Sequence, residues 1–314
     1  MDLKQQIESA LWPECRSSCI VFVDGCLNEN FSDISALPSC CALQWSEEMA
    51  TLSIPPSVAV PVPVQIVSVF SKLSLAVLRL QILLGQNARL DIVEVLAREG
   101  ISADHIDARL DEGAHLRIAD QINSSKKAHL HRFFCAALQR NARLNCFSCS
   151  KGALMLQRDW QVFLNGEGAE VDLLGLDDLS KDRQAHTRVC MHHRAPSSRS
   201  RQHFKKALQD KSRSNCEGKI RIESTAHHAD AAQLCQNLLL SDEASVIVKP
   251  FLDIFAADVQ AKHGATFSQP TDEELFYCQS RGISMCEAKE LWRQGFCREI
   301  IDAIEIPAMR QRCL

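Results

Sequence analysis

The chain repeats a short corner motif, in which asparagine or glycine is followed by alanine, any residue and a branched aliphatic residue: Asn87-Ala88-Arg89-Leu90, Gly113-Ala114-His115-Leu116, Asn141-Ala142-Arg143-Leu144 and Gly168-Ala169-Glu170-Val171. The spacing between the first residues of successive copies is nearly constant. Asparagine and glycine tolerate a left-handed backbone, and alanine fits a tightly stacked corner. Such a repeat is typical of a β-solenoid, in which each coil buries its apolar face on the next.

The repeat continues in weaker form toward the carboxyl end. A fifth copy, Glu243-Ala244-Ser245-Val246, lies farther along the chain, at a distance that we interpret as three further coils of similar length. Degenerate turns at Arg194-Ala195-Pro196 and Gly218-Lys219-Ile220 fill the interval. Between corners the side chains alternate with a period of two, as in Leu154-Met155-Leu156-Gln157, which predicts strands. Ordinary hairpins with coincidental turns are the alternative.

The pattern changes after residue 258. Thr271 and Ser284 each precede a glutamate by three residues, the capping-box arrangement that begins helices, and Gly282 lies where the first helix should end. The second helix has an apolar face formed by Ala288, Trp292, Phe296, Ile300 and Ile304. Pro307 should discourage continuation. We therefore expect a β-repeat body followed by about two helices.

Composition narrows the function classes. The 314 residues include 15 cysteines, more than an ordinary chain but fewer than a disulfide-built scaffold, and no basic and apolar leader is visible at the start. A net charge of −4 gives no reason to expect nucleic acid or a membrane as partner. The apolar stretch 54–84 is interrupted by prolines and charges, so we interpret it as buried strand. A reducing, cytoplasmic location is expected.

Several carboxyl-terminal motifs resemble the SufB/SufD family of iron–sulfur cluster assembly scaffolds. The resemblance spans roughly residues 19–304 and is most specific in the last third. It rests on Asn237-Leu238-Leu239-Leu240-Ser241-Asp242-Glu243-Ala244, Lys249-Pro250-Phe251-Leu252-Asp253-Ile254-Phe255-Ala256-Ala257-Asp258-Val259, His263-Gly264-Ala265-Thr266 and Leu275-Phe276-Tyr277-Cys278-Gln279-Ser280-Arg281-Gly282-Ile283. The His-Gly-Ala-Thr form resembles the SufD branch.

The resemblance implies a mainly β protein, a right-handed parallel β-helix with a carboxyl-terminal helical segment. It implies three parts: a short amino-terminal segment 1–47, the β-helix core 48–262, and a helical region 263–314 that docks an ATPase. The implied partners are a SufB-like subunit and a SufC-like ATPase, and the chain itself is implied to be a non-catalytic scaffold. No stably bound cofactor is implied, only a transient iron–sulfur cluster at the SufB-like interface.

The resemblance also assigns candidate residues. His263 is implied to face the SufB-like subunit, as an iron or cluster ligand or as a proton shuttle. A histidine that caps the solenoid by hydrogen bonding is the structural alternative. The face formed by Ala288, Trp292 and Phe296 is expected to pack internally or to meet the ATPase. The sequence departs from the family's pattern in two ways: its length leads us to expect that most of the family's amino-terminal helical domain is lacking, and Ala261-Lys262 replace a common Cys-Ser pair.

The remaining candidates give weaker signals. Cys146 and Cys149 form a lone C-x-x-C, but residues three apart on a strand point to opposite faces. The adjacent histidines at 192–193 and 227–228 are interpreted as surface or turn residues. The segment 181–213 holds ten basic and two acidic residues and is interpreted as a solvated face. No P-loop is present, so ATP hydrolysis should belong to a partner.

A second function class is a β-helix enzyme acting on carbohydrate, a hydrolase or lyase. Such an enzyme needs carboxylates that project from neighbouring coils at the same position. The candidate group is Asp172, Asp177 and Asp178, which lie within one coil. The alternative therefore requires a carboxylate one coil away, such as Asp120 or Glu223, to lie beside Asp172.

Overall fold

The computed structural model shows a parallel β-solenoid of about seven turns, with 52% of residues in strands and 16% in helices. It describes residues 3–46, 48–69, 75–97 and 99–313. The predicted parallel β-helix with carboxyl-terminal helices is confirmed. None of the helices within these ranges is long and apolar enough to cross a bilayer.

Two sheets form the walls of the solenoid, and the chain alternates between them. Sheet A, in chain order, contains β1 (Cys19–Val23), β2 (Cys26–Leu27), β5 (Val64–Val69), β7 (Arg89–Ala97), β9 (His115–Ile122), β11 (Arg143–Ser150), β13 (Glu170–Leu179), β15 (Arg199–Leu208), β17 (Asp230–Leu239) and β19 (Gln260–Ser268). Sheet B contains β3 (Ala42–Trp45), β4 (Ala50–Ile54), β6 (Leu75–Leu84), β8 (Ile101–Leu110), β10 (His129–Leu138), β12 (Met155–Leu164), β14 (Gln184–His193), β16 (Arg213–Ile222) and β18 (Ser245–Ile254). Every pairing between these strands is parallel except those of β2 with β1 and β3 with β4.

The corner motif behaves as its composition predicts. Its first residue has positive φ in all four clear copies, from 54° to 67°. The alanine that follows is fully buried in each copy. Backbone bonds stack the corners, as where the Gly113 amide donates to the Arg140 carbonyl at 2.9 Å. A Cβ at Gly113 would lie 2.2 Å from Oδ1 of Asn87, so glycine is required beside the asparagine of the previous coil.

The assignment of the weaker copies is correct for Arg194-Ala195-Pro196, whose Pro196 carbonyl accepts from the Gly168 amide of the previous corner, but wrong for Gly218 and Glu243. The corner that begins with Asn87 and Gly113 recurs in the later coils at Ser197 and His228, both with positive φ. The later coils are longer than the first ones, so a fixed repeat length does not locate these residues. Glu243 belongs to the opposite corner, between β17 and β18. Gly218 lies inside strand β16 and not at a turn. Glycine is needed there because the side-chain amide of Gln233 occupies the space that a Cβ would need.

The strands that pair in parallel span more of the chain than the predicted core range 48–262. Strand β1 begins at Cys19 and pairs in parallel with β5, and β19 continues to Ser268. The apolar stretch 54–84 contributes β5 and β6, although its residues 70–74 lie outside the described ranges. The solenoid thus extends beyond both predicted limits.

In the part of the chain that the structure describes, four α-helices accompany the sheets: α1 (Leu3–Ala10), α2 (Asp272–Ser280), α3 (Met285–Asp302) and α4 (Pro307–Cys313). A 3-10 helix, Pro13–Ser18, follows α1. Both capping boxes are present, and Gly282 has a φ of +82° after α2, as the sequence predicts. Pro307 does not terminate α3, which already ends at Asp302. It is instead the first residue of α4, a position at which a helix needs no amide donor.

Two of the three apolar clusters among the described residues hold the solenoid and the helices together. One fills the inside of the solenoid and includes the corner alanines. The other lies on the outer face of sheet A and is covered by α1, α3 and α4 through residues such as Ile7, Ile300 and Met309. The carboxyl-terminal helices therefore pack along the solenoid wall.

Candidate functional site at the open end

The two ends of the solenoid differ. At the amino-terminal end, the short antiparallel strands β2 and β3 finish the sheets. At the other end, β18 and β19 are long strands that pair on one side within the described chain. Large apolar side chains at this end are about half exposed: Ile247, Phe251, Phe255 and Phe267. An unpaired, apolar strand edge is a template for pairing with another chain.

His263 lies on this open edge. It occupies the middle of β19 and stands in register with Gln233 of β17. Alternation places it on the same face as Ala261, which packs against the interior core. Since no further coil follows within the described residues, the imidazole is exposed. The structure thus puts the predicted histidine at the mouth of the solenoid interior.

The interior beneath His263 is polar. Its register column is apolar in the middle coils, at Cys146 and Leu173, and then continues with Gln202, Gln233 and His263. Both glutamine side chains are more than nine-tenths buried, and neither amide has a hydrogen-bond partner among the described residues. Amides buried in this way retain capacity to bind water or a polar ligand.

A pair of thiols lies in the same part of the interior. Cys216 of β16 and Cys235 of β17 face each other across the solenoid, are fully buried and are in hydrogen-bonding contact. The hydrogen bond from Cys235, together with the charge of Lys206, lowers the pKa of Cys216 to about 7 against the effect of burial. The sequence missed this pair, because the residues come from facing strands and share no motif.

Lys206 belongs to a buried ion cluster that links three coils. Asp177 of β13 accepts hydrogen bonds from Lys206 of β15 and from Arg158 of β12, and all three side chains are about 1% exposed. Burial alone would raise the pKa of Asp177, but the two cations lower it to about 2. Arg158 also donates to Ser148 and Thr187, each at 3.0 Å. The Asp177 carboxylate therefore has a structural role, because both of its oxygens are engaged by buried cations.

The segment 181–213 is not a uniformly solvated basic face. Lys206 points inward to Asp177, and Lys205 is buried under α3, where it pairs with Glu299. Of the more exposed residues, Arg201 pairs with Asp230. The interpretation as a solvated face is wrong for the two lysines, since adjacent residues of a strand face the interior and the helix-covered side in turn.

The carboxylates of the carbohydrate-active alternative do not converge. Asp172 and Asp178 lie on the outer side of β13, whereas Asp177 lies inside. The neighbours of Asp172 on the adjacent coils are Asn145 and Arg201, not an acid. Asp178 is ion-paired with Arg293 of α3. This arrangement argues against a glycosidase-type carboxylate pair.

The remaining cysteine and histidine candidates do not form a metal site. Cys146 belongs to the interior cluster and Cys149 to the outer cluster, so the C-x-x-C does not chelate. His193, interpreted as a surface residue, is instead buried and hydrogen-bonded to Ser198 and Ser200 at 2.8 Å. Within the described ranges, no group of three or more histidine, cysteine or acidic residues could hold a metal ion.

The helix face predicted for a partner is turned toward the solenoid. Ala288 is fully buried, while Trp292 and Phe296 are half-buried. The Lys205 ammonium donates to the Phe296 carbonyl at 3.0 Å and lies 4.5 Å from the centre of its ring. Other large apolar side chains of the helical region are exposed: Phe276 and Tyr277 of α2, and Met285 and Leu291 of α3.

A parallel β-helix with one open end and helices on its outer wall is thus the class of protein that the fold defines. A family model described as "SUF system FeS cluster assembly, SufBD core domain" matches residues 68–296. The chain belongs to the SufB/SufD family of iron–sulfur cluster assembly proteins, as its motifs predict.

Relatives with assigned names agree with this membership. The chain is 32% identical to the iron-sulfur cluster assembly protein SufD of Escherichia coli, over 52% of this chain and 38% of that protein. It is 26% identical to a SufBD family protein of Synechocystis, over 70% of this chain and 46% of that protein, and 33% identical to SufD of Plasmodium falciparum, over 55% and 12%. The match to SufD proteins agrees with the SufD branch. The chain spans less than half the length of these relatives.

Proposed function

We propose that this chain is a SufD-like scaffold subunit that pairs with a SufB-like subunit through the open end of its solenoid. The observation that carries the proposal is the coincidence, on one edge, of two sheet strands paired on one side only, exposed apolar side chains and His263. Addition of strands from a second solenoid would satisfy the edge amides and carbonyls of both sheets. Pro250, which lacks an amide donor, is compatible with such an edge strand.

His263 would then act at the interface on an iron–sulfur cluster that is cargo rather than a resident cofactor. An imidazole can ligate iron or carry a proton near neutral pH. Because Ala261 supplies no thiol, the cysteine ligands would come from the partner. The cluster is transient and is not held stably by this chain alone.

The carboxyl-terminal helices would dock a SufC-like ATPase, which supplies the nucleotide hydrolysis that this scaffold does not perform. The docking face is the exposed apolar side of α2 and α3 rather than the face that contains Trp292. Phe276 is 70% exposed and Tyr277 lies beside it, an arrangement typical of an interface anchor. The fifteen cysteines are free thiols, which fits a reducing compartment such as the cytoplasm.

Two matched substitutions separate the proposed contacts. Phe251→Asp places a charge on the open edge, and Phe276→Asp places one on α2; both rings are more than half exposed in the free chain, so folding should be unaffected. On co-expression with both partners, Phe251→Asp should abolish capture of the SufB-like subunit but keep the ATPase. Phe276→Asp should do the reverse. Capture of both partners by both variants would refute the assignment of the two faces.

The role of His263 is tested in the intact complex. His263→Ala should leave the complex assembled but lower the cluster formed on anaerobic reconstitution, read from its visible absorbance. His228→Ala is the matched control, since His228 is an exposed histidine at a neighbouring corner whose contact is to Asp258. Equal cluster yields from the two variants would remove His263 from the proposed role.

A further inference from the structure

The last helix is held against the solenoid by a small set of contacts. Met309 and Cys313 of α4 are fully buried in the outer cluster. The Lys151 ammonium donates to the Cys313 carbonyl at 3.4 Å, and the Gln121 amide donates to the Arg312 carbonyl at 3.4 Å. A helix of two turns is not stable alone. The position of α4 therefore depends on these contacts with sheet A.

One of these contacts joins two thiols. Cys149 lies on the outer side of β11 and is buried in the same apolar cluster as Cys313. Its neighbour in register, Gln121, and Lys151, two residues on, bond to the Arg312 and Cys313 carbonyls, which fixes the end of α4 beside Cys149 and brings the two thiols into contact. The two side chains are 0% and 1% exposed. This contact and the nearby Lys151 lower the pKa of Cys313, whereas the contact and burial raise the pKa of Cys149. Cys313 is thus the more nucleophilic of the two.

A cavity gives access to Cys313. It has a volume of about 170 Å³ and is lined by Lys151, Asp178, Arg293, Cys297 and Cys313. This volume admits a molecule the size of hydrogen peroxide. Cys297 lines the same cavity, but burial raises its pKa to about 12, so it stays a thiol. Oxidation should therefore begin at Cys313.

We propose that Cys149 and Cys313 form a reversible disulfide, generated by a hydroperoxide, that locks α4 onto sheet A. The Cys313 thiolate attacks one peroxide oxygen; an S–O bond forms, the O–O bond breaks, and hydroxide leaves as water. Cys149 then loses its proton and attacks the Cys313 sulfur; an S–S bond forms and the second hydroxide leaves as water. Two thiols and one peroxide give one disulfide and two waters, and a dithiol reductant reverses the change.

The lock would restrain the helical region as well as α4. The disulfide closes the chain from residue 149 to residue 313, and α2 and α3 lie inside this loop. The modification does not depend on the proposed function. Only its consequence for ATPase docking rests on that function, because the exposed face of α2 and α3 lies in the restrained segment.

The first test maps the bond in the full-length chain. The reduced protein is exposed to hydrogen peroxide without denaturant, remaining thiols are alkylated, and peptides are identified by mass spectrometry before and after reduction. We expect a peptide linking Cys149 to Cys313 that is absent from Cys313→Ser and Cys149→Ala but present in Cys297→Ser. A Cys313 oxidised to sulfinic acid without this link, or linked to Cys297 instead, would overturn the proposal.

The second test measures the lock. Trypsin cleaves after Arg310 and Arg312 when α4 detaches, so peroxide treatment should slow this cleavage about fivefold in the wild-type chain. Cys313→Ser should show no change on treatment. A disulfide that forms without slowing cleavage would overturn the locking role. A changed cleavage rate with unaltered ATPase capture would refute only the consequence for docking.

Discussion

The buried ion cluster gives the sharpest test of how the solenoid is stabilised. Asp177→Asn keeps the shape of the side chain but removes the negative charge between Arg158 and Lys206. The side chains of all three residues are about 1% exposed. The two cations then remain buried with no anion between them. In addition, the NH₂ group of the new asparagine is a hydrogen-bond donor and faces the donor groups of Arg158 or Lys206. Removal of one partner from a buried ion pair costs about 3 to 5 kcal/mol.

The acid titration of Asp177 gives a lower limit for this cost. The folded-state pKa of about 2 lies below the ordinary value of 3.8, so the folded chain binds this proton more weakly than the unfolded chain. The corresponding stability is present above pH 4 and is lost as the pH falls toward 2. A shift of this size corresponds to about 2 kcal/mol. Protonation costs less than substitution because the neutral carboxyl still accepts hydrogen bonds.

The assay is urea unfolding followed by circular dichroism at pH 7. We expect Asp177→Asn to lower the midpoint strongly, and Asp177→Asn with Lys206→Met to recover part of the loss because one unpaired cation is removed. Asp253→Asn is the control, since Asp253 forms an exposed pair with Lys219 and should leave the midpoint unchanged. A loss below about 1 kcal/mol for Asp177→Asn would refute the reasoning.

Two further predictions concern the corners and the interior histidine. Gly113→Ala should lower stability by about 1 to 3 kcal/mol, because φ is +67° and the new Cβ meets Asn87, whereas Gly295→Ala in α3 should raise it by about 0.5 to 1 kcal/mol. Thermal unfolding of both variants checks the opposite signs. Burial lowers the pKa of His193 to about 4, so the folded chain resists this proton and stability should fall as the pH drops from 6.5 to 4. Nuclear magnetic resonance titration of the ring measures this pKa directly, and a value near 6.5 would refute the prediction.

The sequence predicts the features that follow from local chemistry. Asn87 and Gly113 indicate a left-handed corner because few other residues adopt one easily. Thr271 and Ser284 indicate helix starts because their hydroxyls accept from the backbone three residues on. His263 stands out by its motif, and the structure adds its position on the last strand.

The features that the sequence missed depend on stacking between distant residues. The later coils, such as that from Ser197 to His228, are longer than the coil from Asn87 to Gly113, so a fixed period assigns Glu243 to the wrong corner. Gly218 resembles a turn residue, yet the missing side chain makes room for Gln233 of the next strand. The contact between Cys216 and Cys235 arises only when two facing strands meet across the interior. A search for chelating spacing along the chain cannot detect such pairs.

The buried charges explain how the open end comes to be well defined. An apolar interior alone permits neighbouring coils to slip, and a slip of one residue would turn inward side chains outward. Asp177 bonds to Lys206 on the next coil of sheet A and to Arg158 on sheet B, so a slipped register would leave a buried charge unpaired. The same column of sheet A continues to Asn237, which donates to the Thr266 carbonyl of β19 at 2.9 Å. The polar interior therefore fixes the register as far as the strand that carries His263, where a partner's strands would have to match it.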